Sequence, residues 1–441
     1  MTSVPKDGIA VPQAEAVSAQ RPLHARLTTR HLIITGTTIV ALLIPLAAPG
    51  FMIFPLTEVM VYGLAILGLN LLTGFNGQFS LGHSAFYGIG AYTAAIMMHN
   101  YDISYFWTLP AAGAVCFAVG FLFGLPALRL QNLYLALATF ALATAMPQIL
   151  KFHLLEEWTG GVQGLPILQP DPPPFLPITT DQWLYYLTLG VILLMFAAAA
   201  NLVRSRAGRA IMAIRDNPIA AAAMGINTSL YKTITFGVSA LYTGVAGALS
   251  ALVVGFVAPD SFTIFLSISL LVGLVIGGVG SIAGCLFGGL FVLYLPNIAN
   301  SISTGLSGAI YGFILLLVIF ATPSGASGFV RFARDGFSAP ALDRARFLSV
   351  WFGISTYGVI TLLIVKGAGL GKSSPLIFWI TYTMIILGIT GWQTIMAVKR
   401  LSDMRRSRWW GILLFVPPLN MLLLIALFCA KTRSHDTLTA I

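Results

Sequence analysis

The chain has 441 residues, a mass of 47.1 kDa and a mean hydropathy of +0.89. Apolar residues make up 57% of it and charged residues only 9%, about a third of the charge an average soluble domain carries. So few ions cannot coat a water-soluble protein of this size. The apolar stretches are long and continuous rather than alternating, which excludes a soluble enzyme, a disordered scaffold and a transmembrane barrel. The net charge of +10 does not imply nucleic acid, because the aromatics do not interleave with the basic residues along one surface. What remains is an all-α polytopic membrane protein. Cys116, Cys285 and Cys429 are widely spaced inside apolar stretches with no His at ligand spacing, so buried thiols are expected, with neither a disulfide nor a metal site.

Residues 1–30 are polar and carry Pro5, Pro12 and Pro22; they read as a cytoplasmic arm. With about 20 apolar residues needed to cross a bilayer, spans are expected at 32–49, 54–73, 78–98, 105–128, 131–150, 183–203, 231–256, 264–278, 280–296 and 306–321. Three more follow at 349–365, 376–398 and 411–429. With the N-terminus inside, nineteen of the 24 Lys and Arg residues fall on the inner side, the bias expected of cytoplasmic loops. The loop 151–182 is acidic, stiffened by the run Pro170 to Pro174, and lies outside. The expected organisation is an arm at 1–30, a membrane domain at 31–325, a basic cytoplasmic linker at 326–348 and a second membrane domain at 349–441.

The stretch Gly74 to Tyr92 joins two spans, yet is dense in glycine and polar side chains. Polar groups at membrane depth must be paired internally or face a cavity, and glycines let helices break or approach closely. Asn76, Gln78, Ser80 and His83 are therefore candidates for a translocation path, or for bonds to neighbouring backbone in tight packing. No carboxylate stands near to orient His83, so a Ser/His nucleophile is not expected. On the inner side, Asn217 is a good N-cap, Pro218 suits the first helical position and Gly225 suits the stop. The helix between them is too short to stand alone in water, so it must dock against the membrane domain or a partner. Gly273, Gly277, Gly280, Gly284 and Gly288 are mostly four apart and read as a close helix crossing. The stretch Gly367 to Ser373 imitates a phosphate loop but has Lys366 where its first glycine is required, leaving no ATP site.

Taken in order, Gly77-Gln78-Phe79-Ser80-Leu81-Gly82-His83-Ser84-Ala85-Phe86, Trp158-Thr159-Gly160-Gly161, Gly208-Arg209-Ala210 through Arg215-Asp216-Asn217, Met224-Gly225-Ile226 and Gly277-Gly278-Val279-Gly280-Ser281 resemble the branched-chain amino-acid permease family of ABC importers over residues 32–325. The resemblance implies a multi-pass subunit of a bacterial inner membrane that hydrolyses nothing and carries no cofactor. It also implies a second homologous permease, two cytoplasmic ATPase subunits that bind ATP and Mg, and a periplasmic amino-acid-binding protein. Arg209, Arg215, Asp216, Asn217, Pro218, Met224 and Gly225 then lie in the segment that meets an ATPase. The family often has glutamates where this chain has Pro218 and Ala222, so shape and backbone contacts must replace an ionic one. A urea permease shares much of the pattern and is the alternative within the class. A stand-alone secondary transporter or channel would need carboxylates at mid-membrane, and only Glu58 and Asp260 come near spans, both at ends. An intramembrane enzyme would need paired catalytic groups, which are lacking. The tail, with Arg400, Arg405, Arg406, Arg408, Trp409 and Trp410, resembles a small bacterial inner-membrane family of unknown function, its Arg/Trp cluster suited to lipid headgroups.

Overall fold

The computed structural model describes residues 38–302, except 40, 47–48, 128–131 and 175–176, together with Gly312. The expected arm at 1–30, the span at 306–321, the linker, the phosphate-loop imitation and the second membrane domain lie outside the described residues. The chain divides into a short unit, Met1–Pro49, in which residues 41–46 are helical, and a second unit from Gly50 onward.

The second unit is a helical bundle. Its helices are α1 (Gly50–Asn70), α2 (His83–His99), α3 (Tyr105–Ala127), α4 (Asn132–Leu150), α5 (Glu156–Thr159), α6 (Thr180–Arg204), α7 (Arg206–Asp216), α8 (Pro218–Ala223), α9 (Thr228–Val254), α10 (Ile264–Gly277) and α11 (Gly284–Ile302). Four described segments are long and apolar enough to cross a membrane: 50–75, 105–126, 180–204 and 228–254. A fifth candidate is α4 with the short helices after it, bent by 63°. The protein is a polytopic helical membrane protein, as composition requires.

Helix α9 is the central post. Its most apolar stretch is 78% buried, against 28% for that of α6, and α1, α2 and α3 pack around it. Its small residues explain why. A methyl group on Gly247 would collide with the Tyr87 carbonyl of α2, and one on Gly90 of α2 with the Gly244 carbonyl, so bare backbones touch where larger side chains would separate the helices. Helices α10 and α11 cross in the same way. Gly277 lies against the Gly284 carbonyl and Gly288 against that of Gly273, the close crossing expected from the glycine spacing.

Two helices start several residues later than expected. The span expected from 78 begins as helix only at His83, because residues 76–82 are unwound and Gly77 takes φ +74°. The span expected from 280 begins at Gly284, because Gly278 (φ +102°) and Gly280 (φ +78°) turn the chain first. Glycine adopts both conformations without the steric penalty a side chain would bring. Helix α7 lies between the spans expected at 183–203 and 231–256, where only the short helix after Asn217 is expected. It forms because Ser205 caps it, its hydroxyl accepting from the Gly208 amide at 3.2 Å, and because Ile211 and Ile214 share one buried face.

At the far end of α9, a two-residue ladder pairs β1 (Leu165–Pro166) antiparallel with β2 (Phe256–Val257), Leu165 facing Val257. Lys151 makes an ion pair with Asp260 at the same end.

Candidate functional site

The unwound loop turns back into the bundle. The Gln78 amide donates to the Leu72 carbonyl at 3.1 Å, Thr73 Oγ1 donates to the Gln78 carbonyl at 3.0 Å, and the Leu81 amide donates to Thr139 Oγ1 at 2.9 Å. Helix α1 ends in a π-turn, Leu71–Phe75, a rare form that is frequent at functional sites.

Deeper in, Ser80 and His83 are buried and fully engaged. Ser239 Oγ donates to the Gly68 carbonyl at 2.6 Å, so at its 2.8 Å contact with His83 Nε2 it accepts, and Nε2 carries the proton. Nδ1 is then the acceptor for Ser80 Oγ at 3.1 Å. The chain Ser80, His83, Ser239, Gly68 suits a neutral imidazole with both nitrogens occupied. It ties α1, α2 and α9 together about 17 Å along the axis of α9, by the rise per residue from Thr228 to Ser239. Of the four residues expected along a path, these two have side chains hydrogen-bonded within the bundle.

Asn76 and Gln78 behave differently. Both are buried, 2% and 8% exposed, yet both amide atoms of Asn76 and Oε1 of Gln78 have no hydrogen-bond partner among the described residues. A buried polar atom without a partner costs roughly 1–3 kcal/mol.

Between them, Gly77 meets Arg215, the last arginine of α7. A Cβ on Gly77 would stand 2.8 Å from Arg215 Cγ. Arg215 Nη1 donates to the Gly74 carbonyl at 2.9 Å, while Nε and Nη2 donate to Asp216 Oδ1 at 3.0 and 2.9 Å. The two polar clusters singled out in the sequence, one in the loop and one after α6, are thus in contact. Arg209 does not join them; its Nη1 donates to the Arg204 carbonyl at 3.0 Å.

Asn70, which the sequence reading passed over as part of an apolar span, completes the site. It is fully buried. Its Nδ2 donates to the Ser281 carbonyl at 2.9 Å and contacts Cys285 Sγ at 3.3 Å, and its Oδ1 accepts from the Gly280 amide at 2.8 Å. It clasps the glycine turn between α10 and α11, and Gly74 lies against it with no room for a Cβ. A lone amide inside an apolar run was the available signal, since such a group must find partners within the protein.

Helix α8 is capped as expected. Asn217 Oδ1 accepts from the Ile219 and Ala220 amides at 3.1 and 3.0 Å, and Pro218 opens the helix. Gly225 has φ +83° and follows the C-cap residue Met224. Ala221 is buried, whereas Ile219 and Met224 are 82% and 83% exposed.

The profile of the family described as "Branched-chain amino acid transport system / permease component" matches residues 51–319. The chain belongs to this family. It is 35% identical over 253 residues to the high-affinity branched-chain amino acid transport system permease protein LivM of Salmonella typhimurium, covering 51% of this chain and 58% of that one. It is 34% identical to LivM of Escherichia coli over the same shares. It is 27% identical over 285 residues to LivH of Salmonella typhimurium, covering 60% of this chain and 91% of that one. The chain thus spans little more than half the length of the LivM relatives. Residues 339–437 match a second family, described as "Protein of unknown function (DUF805)". No solved structure matches.

In this permease-family chain the Trp158-Thr159-Gly160-Gly161 motif forms the turn at the end of α9 remote from Arg215. Thr159 Oγ1 donates to the Leu150 and Leu155 carbonyls, both at 2.8 Å, and Gly160, Gly161 and Gly164 all take positive φ. The motif seats Leu165 for its pairing with Val257, so its glycines serve loop geometry.

Proposed function

We propose that this chain is a membrane subunit of an ATP-driven importer of branched-chain or related small amino acids. In this reading the end bearing Arg204, Arg206, Arg209 and Arg215 faces the cytoplasm, and so does the N-terminus. The observation that carries the reading is α8: a short helix capped at its start, stopped by a glycine and presenting Ile219 and Met224 to solvent. Two exposed apolar side chains on a capped mount give an apolar partner surface a place to seat. The partner is a separate ATPase subunit, two of which supply ATP, Mg and hydrolysis; this chain supplies none. A second homologous permease and a periplasmic binding protein complete the assembly, in keeping with the relatives' names as subunits of a transport system. With Pro218 and Ala222 standing where family members often have glutamates, the ATPase contact is apolar.

Nucleotide drives transport only if the ATPase binds one conformation of the permease better than another, and α8 is where that preference is applied. Deleting residues 217–225 tests this: membrane insertion persists and uptake of radiolabelled leucine is lost. Uptake that survives the deletion would end the coupling reading. A urea permease is separated by the ligand that the partner binding protein retains on purification. A secondary transporter is separated by uptake that withstands ATP depletion but fails when the proton gradient collapses.

A further inference from the structure

We propose that Arg215 is a latch that holds shut a polar exit lined by Asn76 and Gln78, and that movement of α7–α8 releases it. The inference rests on the coupling reading above and goes beyond it in naming the transmitting residue and the groups it uncovers.

Three observations carry it. First, Arg215 is the bridge from α7 to the loop: its guanidinium is shared between the Gly74 carbonyl and Asp216, and its stem lies over Gly77, where no side chain fits. Asp216 adjoins Asn217, which caps α8, so a force on α8 reaches Arg215 within two residues. Second, Gly74 lies against Asn70, and Asn70 holds the Gly280–Ser281 turn by hydrogen bonds from both of its amide atoms. Drawing Arg215 away frees the π-turn on which the α10–α11 turn is clasped. Third, Asn76 and Gln78 flank Gly77, and both amide atoms of Asn76 and Oε1 of Gln78 are buried without a partner among the described residues, an arrangement that makes little sense for a static loop, because buried polar groups are otherwise paired. Their partners arrive when the loop opens. An amide offers both donors and acceptors, which suits the ammonium and carboxylate of a passing zwitterion. Ser80 and His83, paired deeper in, form the hinge against which the loop turns. Arg215 is thus a positioning residue: it touches the loop and not the solute.

The test is cysteine labelling in the assembled importer, in inside-out vesicles, with a membrane-impermeant maleimide. Gln78→Cys is placed alone and together with Arg215→Ala or Arg215→Lys, and the chain without the added cysteine gives the background. Insertion and copurification with the ATPase subunits confirm folding; Asn76→Cys serves as a second probe site if Gln78→Cys does not insert. With Arg215 intact, labelling is slow in the absence of nucleotide and speeds up when ADP, left by hydrolysis of added ATP, is trapped with vanadate. With Arg215→Ala it is already fast, by about tenfold, the factor equivalent to losing one charge-assisted hydrogen bond, and leucine uptake falls in step. Arg215→Lys, which keeps one donor for the Gly74 carbonyl, falls between. Labelling that is unchanged by Arg215→Ala would overturn the latch, and so would an Arg215→Ala chain that is labelled fast yet transports at the full rate. Fast labelling with Arg215→Ala, but no response to nucleotide in either chain, would support the latch and count against ATP-driven coupling, so the two claims fail separately.

Discussion

Asn70 shows how much one side chain holds at this site. Three contacts converge on its amide, two from the turn between α10 and α11 and one from Cys285 in the first turn of α11. Asn70→Ala leaves the Gly280 amide and the Ser281 carbonyl without that partner. The expected loss is about 2 kcal/mol, the low end for two unsatisfied groups because both are only part-buried, read as a lower unfolding temperature of the detergent-solubilised chain. An unchanged unfolding temperature would show that water or backbone readily takes over. At this scale the sequence was legible in part. Ser80, His83, Asn76 and Gln78 stood out because they share one short polar stretch. Asn70 did not, because it is flanked by leucines and its partners lie about 210 positions away. Nor did the sequence divide the four: the side chains of Ser80 and His83 are bonded, whereas the Asn76 amide and Gln78 Oε1 have no partner among the described residues, and the first pairing depends on Ser239 and Gly68, which no local pattern connects to the loop.

Among the elements, α8 makes the sharpest claim. Ile219→Asp with Met224→Asp puts two charges where an apolar contact is proposed, and a charge buried against an apolar surface without a partner is strongly unfavourable. Copurification of the ATPase subunits should drop at least tenfold, while insertion, measured by membrane fractionation, is unaffected, since neither side chain is buried in this chain. The wild-type association should withstand high salt, which screens ion pairs but not apolar contacts. Retention of the ATPases by the double variant, or their release by salt alone, would contradict an apolar contact. The capped helix was readable from Asn217, Pro218 and Gly225, because capping is set by residues within a turn of the helix end. Helix α7 was missed: its apolar face is only Ile211 and Ile214 among arginines, and it becomes visible once Gly208 is seen packing on the Leu202 and Val203 carbonyls. The helix starts at 83 and 284 were misplaced for a related reason. Hydropathy places a span only to within a turn or so, while the conformation at both starts is set by glycines at positive φ.

Across the whole molecule, the long apolar helices and the small-residue crossings follow from composition and spacing, since hydrocarbon leaves the backbone no option but internal hydrogen bonding. The contact between the loop after α1 and the segment after α6 was not readable, because Gly74 and Arg215 are 141 positions apart. That contact makes one connected path, from α8 through Arg215 and Gly74 to Asn70 and the α10–α11 turn. In the proposed importer it gives an external engine purchase on the interior of the bundle. The most direct measurement is leucine uptake into liposomes that contain this chain alone, compared with liposomes that contain it with the subunits copurifying with it and ATP inside the coupling compartment. Concentrative uptake should be absent from the first and present in the second; full-rate concentrative uptake by the chain alone would contradict the proposal at its centre.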